Sequence, residues 1–337
     1  MHHSLEYYKN KVVLITGAAG FVGSHLTDKV LSLGATVIGV DNFITGNSAN
    51  LAQHWDAAAK KSLTEGFRFI AADVNQPPLE YLPADITIDC IFHFASPASP
   101  PRYQEHPVET YLVNSWGTHQ LLDYLRHHNP TGRFIYAGTS EAYGDPQVHP
   151  QVETYWGNVN PNGPRSCYDE SKRLGESICG VHTRDFDIDT RIVRIFNTYG
   201  PRMDLYDGRV IPNLVLKALQ NQPMAIYGDG RQTRSYCFVS DLVEGVLRLG
   251  GSDQTKGETV NIGNPGEFTI LQTAELIQQV LGSKQEKPDI VFEPLPKDDP
   301  LKRQPDITKA QLLLDWQPTV DFKAGLEPTI AFFRTQP

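Results

Sequence analysis

Residues 12–26 read VVLITGAAGFVGSHL. An apolar, β-branched run ends at Gly17 and an apolar helical pattern begins at Phe21, which predicts a buried strand, a tight turn and a helix. Gly17 permits the turn, Gly20 lets the backbone approach a pyrophosphate, and Gly23 lets the helix lie close to the sheet. The first helical residues, Phe21 and Val22, offer unpaired N–H groups to phosphate oxygens. The stretch therefore predicts a dinucleotide site.

The acidic residue Asp41 ends the second predicted strand, residues 36–40. A carboxylate there can accept hydrogen bonds from both hydroxyls of an adenosine ribose, and it repels a 2′-phosphate. No Arg or Lys occurs between Asp41 and Lys60. We therefore expect NAD rather than NADP, with Asn42 and Phe43 as further cofactor-binding candidates.

The composition excludes several classes of partner. The 337 residues carry a formal net charge of −9 without a basic run, which argues against nucleic acid. The four cysteines are not at metal-ligand spacing, so we expect reduced thiols and no metal. No apolar run has the length of a membrane span, and residues 1–6 lack a signal-peptide pattern. We expect a cytoplasmic protein that does not bind a membrane.

Strands and helices alternate through the first half of the chain. Strands are predicted near 12–16, 36–40, 67–72, 89–94, 133–138 and 189–196, and helices near 21–33, 107–128 and 165–185. This alternation predicts an α/β fold with a doubly wound parallel Rossmann sheet. Later helices are expected near 210–220, 239–249, 270–281 and 323–334, with a strand at 259–262. We expect a cofactor domain over 1–190, with a return at about 230–262, and a smaller interleaved substrate domain over 191–337.

Ligands of such sheets lie beyond the carboxyl ends of the strands, which directs attention to the loops that follow them. Asp73 follows the third strand and can accept a hydrogen bond from an adenine amino group. Residues 94–103 read FASPASPPRY and follow the fourth strand. The prolines predict a stiff loop with exposed backbone that passes the cofactor and reaches the substrate. Ala95, Pro97 and Tyr103 are its candidates.

A hydroxyl and a carboxylate follow the fifth strand as Thr139-Ser140-Glu141. Tyr168 and Lys172 then open the next helix four residues apart, so they share one face. A nearby ammonium stabilises a phenolate and lowers its pKa, which makes Tyr168 a candidate general base for a sugar hydroxyl, with Thr139 sharing the hydrogen bond. The same spacing occurs at Tyr7 and Lys11, before the first strand, so position rather than spacing distinguishes the pair.

These features together resemble the extended short-chain dehydrogenase/reductase family, and longer motifs resemble its UDP-glucuronate decarboxylase branch. The motifs are FASPASPPRY (94–103), TSEAYGDP (139–146), YWGNVNP (155–161), GPRSCYDE (163–170), RIFNTYGPRM (194–203), GRV (208–210), YGDGRQTR (227–234) and DDPLKRQPD (298–306). The resemblance implies oxidation of the sugar at C4, loss of CO₂ from the 4-keto acid, and reduction of the ketone with NAD recycled.

The resemblance also implies roles for residues. Tyr168 acts as base with Thr139 and Lys172, and Glu141 orders the sugar or the C5 proton step. Substrate contacts are implied for the following residues: Pro97, Tyr103, Ser140, Asn197, Arg202, Arg209, Arg234 and Arg303. Arginine forks suit a diphosphate because they form bidentate, charge-assisted contacts. A homodimer paired through helices 107–128 and 165–185 is expected.

Two other interpretations stay open at this point. Related 4,6-dehydratases carry Thr-Asp-Glu at the triplet, where the Asp protonates a departing hydroxyl. Ser140 is a poor general acid, which disfavours dehydration, and 4-epimerases usually lack the Glu. A non-catalytic NAD sensor on the same fold is the third possibility. The intact set of Thr139, Tyr168 and Lys172 argues against it, because a sensor has no use for an activated phenol.

Overall fold

The computed structural model describes residues 3–282, 288–294 and 302–336. The first part of the last motif, residues 298–301, lies outside these ranges. Within them the chain folds around a central parallel sheet with helices on both faces.

Fifteen short and long strands are present in the described ranges, and seven of them form the central sheet. In chain order the strands are β1 Val12–Thr16, β2 Thr36–Asp41, β3 Trp55–Asp56, β4 Lys61–Ser62, β5 Phe67–Ala71, β6 Cys90–His93, β7 Arg133–Thr139, β8 Asp189–Ile195, β9 Thr198–Tyr199, β10 Met224–Tyr227, β11 Thr233–Ser235, β12 Cys237–Phe238, β13 Thr259–Ile262, β14 Glu267–Thr269 and β15 Ile290–Glu293. The sheet order is β13-β8-β7-β6-β1-β2-β5, and every pair within it is parallel. The predicted doubly wound Rossmann sheet is confirmed.

The sheet has hydrophobic clusters on both faces, as is typical of a parallel sheet covered by helices on each side. Val13 and Ile15 of β1 face one hydrophobic cluster, and Leu14 faces another on the opposite side. After β5, at one edge of the sheet, the chain returns to form β6 on the other side of β1, so the strand order reverses between β1 and β6. The carboxyl ends of these two neighbouring strands therefore form the crevice in which ligands of such sheets bind.

The α-helices of the described ranges are α1 Phe21–Ser32, α2 Pro78–Tyr81, α3 Pro100–Glu105, α4 Pro107–Leu112, α5 Thr118–His128, α6 Ser166–Phe186, α7 Val210–Leu219, α8 Val239–Gly251, α9 Ile270–Leu281, α10 Thr308–Leu314 and α11 Phe322–Arg334. The predicted helices agree with the structure to within a few residues at their ends, whereas α2, α3 and α10 were not predicted. A π-helical turn, Val113–Gly117, joins α4 to α5, so the predicted helix over 107–128 is continuous.

The prediction of a loop over residues 94–103 needs one correction. Its last part begins the helix α3, with Pro100 and Pro101 in the first turn. Proline is favoured at the start of a helix because its fixed φ suits the helix and the first N–H groups have no partner within it. The prolines therefore nucleate a helix here instead of only stiffening a loop, and they place Tyr103 on that helix.

The second half of the chain divides its residues between two cores. Strand β13 pairs with β8 at the edge of the central sheet, and α8 contributes Leu242 and Val246 to the cluster on β1. A separate hydrophobic cluster lies among α7, α9 and α11. The division into a cofactor domain and a substrate domain stays a prediction. In the described ranges, none of the helices combines the length and apolar character that crossing a membrane requires.

Candidate active site

The glycines after β1 form a close contact between the first turn, helix α1 and the loop after β6. Gly17 has a φ of +72°, and a Cβ there would lie 2.7 Å from the Phe94 carbonyl oxygen. A Cβ on Gly23 would lie 2.0 Å from the Gly17 carbonyl oxygen. The N-cap of α1 is Gly20, and no side chain caps the helix. The first N–H groups of α1 are therefore available to an anion at the crevice.

Asp41 ends β2 beside this turn. Its Oδ2 accepts a hydrogen bond from Ala19 N at 2.9 Å, and its Oδ1 accepts one from Phe43 N at 2.8 Å. Each carboxylate oxygen retains acceptor capacity, since a carboxylate offers about four lone-pair sites. Asp41 thus fixes the Gly-rich turn and can still accept from a ribose.

Two adjoining cavities contain the predicted site residues. The larger, about 1190 Å³, is lined by Gly17, Gly20, Phe21, Val22, Gly23, Phe43, Tyr103, Thr139, Ser140, Glu141, Tyr168, Lys172, Asn197, Arg202, Arg209, Arg234 and Arg303. The smaller, about 60 Å³, is lined by Asp41, Asn42, Asp73, Ala95 and Pro97 together with Gly17 and Gly20. Pro97 therefore lies with the predicted cofactor residues, apart from the other predicted substrate residues.

Thr139, Tyr168 and Lys172 meet at the carboxyl end of β7. The side chain of Thr139 lies close enough to the Tyr168 phenol to oppose the rise in its pKa. Lys172 Nζ lies 5.8 Å from the centroid of the Tyr168 ring and donates to the Ala137 carbonyl oxygen at 2.8 Å. Tyr103 from α3 stacks on Tyr168, with ring centroids 5.0 Å apart and an interplanar angle of 9°. The Tyr168 ring is thus packed against Tyr103 and lies near the Lys172 ammonium group.

The expected fall in the pKa of Tyr168 is not found in the protein alone. Burial raises this pKa to about 12, although the Thr139 side chain opposes the shift. Burial also lowers the pKa of Lys172 to about 7. Both shifts have one cause, because a low-dielectric site disfavours the charged form of each group. The spacing of Tyr168 and Lys172 indicates that the two charges attract each other. It does not indicate how completely each group is removed from water, and that removal dominates both pKa values.

Glu141 lies at the centre of a cationic cluster. Its Oε2 accepts from Arg165 Nη2 at 2.5 Å and from Arg303 Nη2 at 3.2 Å. Burial alone would raise the pKa of Glu141, but Arg303, Arg165, Arg234 and Arg209 outweigh it and lower the pKa. Glu141 is therefore a carboxylate at neutral pH.

Arg303 also binds the backbone of the 140–144 turn. Arg303 donates to the carbonyl oxygens of Ser140 and Gly144, the second at 3.1 Å. Ser140 is buried, and its side chain belongs to the cavity lining. The C-terminal segment thus clamps the turn that carries Thr139, Ser140 and Glu141.

The remaining arginines differ in their present partners. Arg209 pairs with Asp207 through both its Nε and its Nη2, the latter at 2.7 Å from Oδ2. Arg202 has a φ of +68° and pairs with Asp28 of α1 at 2.7 Å. Arg234 is buried, and its Nη1 donates to the Thr233 carbonyl oxygen at 2.9 Å.

Comparison with known proteins identifies the family. The model of the NAD-dependent epimerase/dehydratase family matches residues 13–263. The chain belongs to this family. It is 47% identical to UDP-glucuronic acid decarboxylase 1 of Xenopus tropicalis, over 97% of this chain and 73% of that protein. It is 43% identical to UDP-glucuronic acid decarboxylase 6 of Arabidopsis thaliana, over 97% and 90% of the two chains.

Solved structures of the epimerase/dehydratase type superpose over nearly the whole chain. UDP-glucuronic acid 4-epimerase of Bacillus cereus, in complex with UDP-glucuronic acid and NAD, gives a TM-score of 0.80 at 27% identity, covering 96% and 99% of the two chains. The dTDP-glucose 4,6-dehydratase DesIV of Streptomyces venezuelae gives 0.83 at 27% identity, covering 96% and 97%. The cofactor of this member of the family is NAD, as the sequence predicted.

The residues present fit that cofactor. At Gly17 and Gly23 a Cβ would overlap backbone atoms, so only glycine permits this close turn, and the N-terminus of α1 lies beside it without a capping side chain. Asp41 and Asp73 line the smaller cavity with acceptor oxygens, as an adenosine requires. The two cavities share Gly17 and Gly20 and together reach from the acidic end to Tyr168.

The sequence did not indicate two groups of residues at this site, namely the charged residues beside Tyr168 and a buried histidine beneath the crevice. Arg165 and Asp169 flank Tyr168 within the motif 163–170, but their role depends on contact with Glu141, more than twenty positions earlier in the chain. His93 links the strands below the crevice, with Nδ1 at 2.8 Å from Thr16 Oγ1 and Nε2 at 3.1 Å from the Val113 carbonyl oxygen. Burial lowers the pKa of His93 to about 3, so it stays neutral. Only the pairing of β1 with β6 could have indicated it.

Proposed function

We propose that this protein converts UDP-glucuronate to UDP-xylose and CO₂, with NAD recycled in each turnover. The observation that carries the proposal is the cluster of arginines around Glu141, beside the Thr139–Tyr168 pair. UDP-glucuronate carries a diphosphate and a carboxylate, and arginine binds both groups through paired N–H donors. The names of the relatives at 43–48% identity support the same substrate.

The reaction begins at the C4 hydroxyl. Tyr168 takes its proton, Thr139 holds the same oxygen by a hydrogen bond, and Lys172 adds positive charge that favours the phenolate. NAD⁺ would be held by the glycines of the 17–23 turn and by Asp41, and when bound it would supply the hydride acceptor for C4 and, once reduced, the hydride donor. Burial raises the pKa of the Tyr168 phenol, so its role as base requires positive charge beside it, and Lys172 is the residue placed to supply that charge.

Loss of CO₂ follows from the chemistry of the 4-keto sugar acid. The ketone lies β to the carboxylate, so the electron pair of the breaking C5–C6 bond flows into the ketone as an enolate. C5 then takes a proton, and the net reaction consumes one proton for each CO₂ released. Glu141, held by Arg165 and Arg303, lies at the position expected to order the sugar through this step.

Dehydration and epimerisation are the main alternatives, because solved structures of both activities share this fold. Dehydration needs an acid to protonate the departing C6 hydroxyl, and Ser140 is a poor acid at neutral pH. Decarboxylation expels no hydroxyl and needs no such acid. A non-catalytic NAD sensor is disfavoured by the buried Thr139–Tyr168–Lys172 set, since holding a lysine and a phenol out of water is costly without a use.

The first prediction tests the proposal directly. Incubation of the protein with UDP-glucuronate and NAD⁺ should yield UDP-xylose and an equal amount of CO₂, with no net NADH. The products are followed by proton NMR of the sugar nucleotide. Unchanged UDP-glucuronate would refute the proposal. UDP-galacturonate as product would show an epimerase instead, and a 4-keto-6-deoxy product from a neutral nucleotide hexose would show a dehydratase.

A homodimer is proposed on the helices predicted to pair. Apolar side chains are exposed on 107–117 and on α6, among them Trp116 at 48% and Leu174 at 50%. Tyr111 and Val108 are exposed on the same segment. Exposed apolar side chains that cluster on adjacent helices mark an interaction site. The free state of all four cysteines supports the expected cytoplasmic, reducing location.

The second prediction concerns this surface. Combined Trp116→Glu and Leu174→Glu substitutions should convert a dimer into a monomer of 37.6 kDa, because buried unpaired carboxylates oppose association. Light scattering coupled to gel filtration measures the mass. Leu312→Glu, at a residue that is 80% exposed on α10, is the matched control and should leave the mass unchanged. A double variant that stays dimeric would exclude this face as the interface.

A further inference from the structure

One half-buried and one buried carboxyl group, Glu141 and Asp169, lie near the Arg165 guanidinium. Glu141 Oε2 is 2.5 Å from Arg165 Nη2, which is a strong charge-assisted hydrogen bond. Asp169 Oδ2 is 3.9 Å from Arg165 Nε, which is beyond hydrogen-bond distance. Arg165 therefore hydrogen-bonds to Glu141 and makes only a longer ion pair with Asp169, although Asp169 is four residues away along the chain.

The second carboxyl has an oxygen without a partner. Asp169 is 7% exposed, and its Oδ1 has no hydrogen-bond partner among the residues that the structure describes. An ionised carboxylate in such a place would lose hydration that Arg165 and Arg303 only partly replace, which disfavours the charged form. A neutral carboxyl avoids most of this loss. The geometry therefore favours a protonated Asp169 in the arrangement observed.

We propose that Asp169 is a positioning residue that acts through Arg165. As a neutral carboxyl it leaves the guanidinium with Glu141. As a carboxylate it draws the guanidinium toward itself and deprives Glu141 of its shortest donor. The turn 140–144 then loses one of the two arginines that hold Glu141, and turnover slows. This inference rests on the proposed function, because turnover is one of its readouts.

The groups around Asp169 set the pH at which this happens. Glu141 faces it from the turn after β7, Arg303 from the C-terminal segment, and Tyr103 from α3. Arg165, Cys167, Tyr168 and Glu170 face it from its own helix. Burial and then the charge of Glu141 raise the pKa of Asp169 to about 7, while Arg165 and Arg303 oppose the shift. The neutral form therefore prevails below about pH 7 and is lost above it.

The experiment compares wild type with Asp169→Asn, whose amide cannot ionise. In the wild type, kcat should fall about tenfold between about pH 6 and about pH 8, as one group with a pKa of about 7 titrates. In Asp169→Asn the same ratio should be less than about twofold. Asp185→Asn, at an exposed residue of the same helix, is the matched control and should show the wild-type profile. Burial also lowers the pKa of Lys172 to about 7, so a profile unchanged by Asp169→Asn would assign the fall to Lys172 and overturn the proposal.

A second readout does not require turnover. The infrared difference between pH 6 and pH 8 should contain a band of a protonated carboxyl group in the wild type that Asp169→Asn lacks. If this band is present but no UDP-xylose is formed, the proposed function is refuted and the titration of Asp169 stands. If the band is absent, the proposed role of Asp169 is overturned, whether or not UDP-xylose is formed. Should Asp169→Asn fail to fold, carbon NMR of the aspartate carboxyls in wild type decides, and the absence of an aspartate that titrates near pH 7 overturns the proposal.

Discussion

Replacement of Tyr168 by Phe should lower the rate of UDP-xylose formation by about 10³-fold and leave NAD binding nearly unchanged. The hydroxyl is the group that exchanges a proton with C4, and Phe cannot do so. The ring itself should stay in place, because Phe retains the stacking on Tyr103 at 5.0 Å. Turnover is measured by product NMR, and NAD binding by calorimetry.

Tyr81→Phe is the matched control for this substitution. The Tyr81 hydroxyl is buried without a hydrogen-bond partner among the described residues, and it lies outside both cavities. Its loss should leave turnover within about twofold of the wild type, since a change away from the site is normally small. A Tyr168→Phe variant with the rate of the wild type would contradict the assignment of Tyr168 as base. Equal loss of NAD binding and turnover would indicate a structural role instead.

Replacement of Gly23 by Ala should weaken NAD binding by at least about 100-fold and lower the free energy of unfolding by about 1–3 kcal/mol. The new Cβ would lie 2.0 Å from the carbonyl oxygen of Gly17 and 2.8 Å from its carbonyl carbon. Both are backbone atoms beside the cradle, so α1 must move away from the sheet. That movement displaces the N–H groups that the phosphates need. Titration calorimetry and thermal unfolding measure the two effects.

Gly180→Ala on α6 is the control for this prediction. There the nearest atom to the new Cβ is Arg184 Nη1 at 2.9 Å, at the free end of a flexible side chain. Alanine is also the better helix former by about 1 kcal/mol, so stability should hold or rise. NAD binding should equal that of the wild type. Normal NAD binding by Gly23→Ala would show that the cradle tolerates a shifted helix.

The strands of the central sheet and its doubly wound, parallel character were predicted from local signals, although the order of the strands was not. These signals are the β-branched run at 12–16, the glycines after it and the alternation of strands with helices. Each depends only on residues that are close together in the chain, so it can be recognised without knowing the fold. The ends of the strands were also correct to within one or two residues, because Gly17 and Asp41 mark where two of them end. Residues at the carboxyl ends of parallel strands necessarily meet, which is why the candidates from separate loops line adjoining cavities.

The energetics of the candidate site could not be predicted in the same way. The pKa of Tyr168 depends on how completely it is buried, and burial is a property of the whole fold. The contact of Arg165 with Glu141 joins the start of α6 to the turn after β7, and no local pattern specifies it. The placement of Pro97 in the smaller cavity depends on the path of a proline-rich segment whose last part became helix α3.

The return of α8 and β13 to the central sheet has a consequence for synthesis on the ribosome. The Tyr8 hydroxyl donates to the Leu247 carbonyl oxygen at 2.9 Å, so the first turn of the chain is held by a helix made 239 residues later. Leu242, Val246 and Leu247 of that helix cover the face of the sheet on which Val13 and Ile15 lie. Helix α1 covers part of this face as soon as it is made, because Leu26 and Val30 belong to the same cluster, but the part that α8 covers stays exposed until α8 has left the exit tunnel. Most of the chain must therefore be made before this face of the sheet is fully covered.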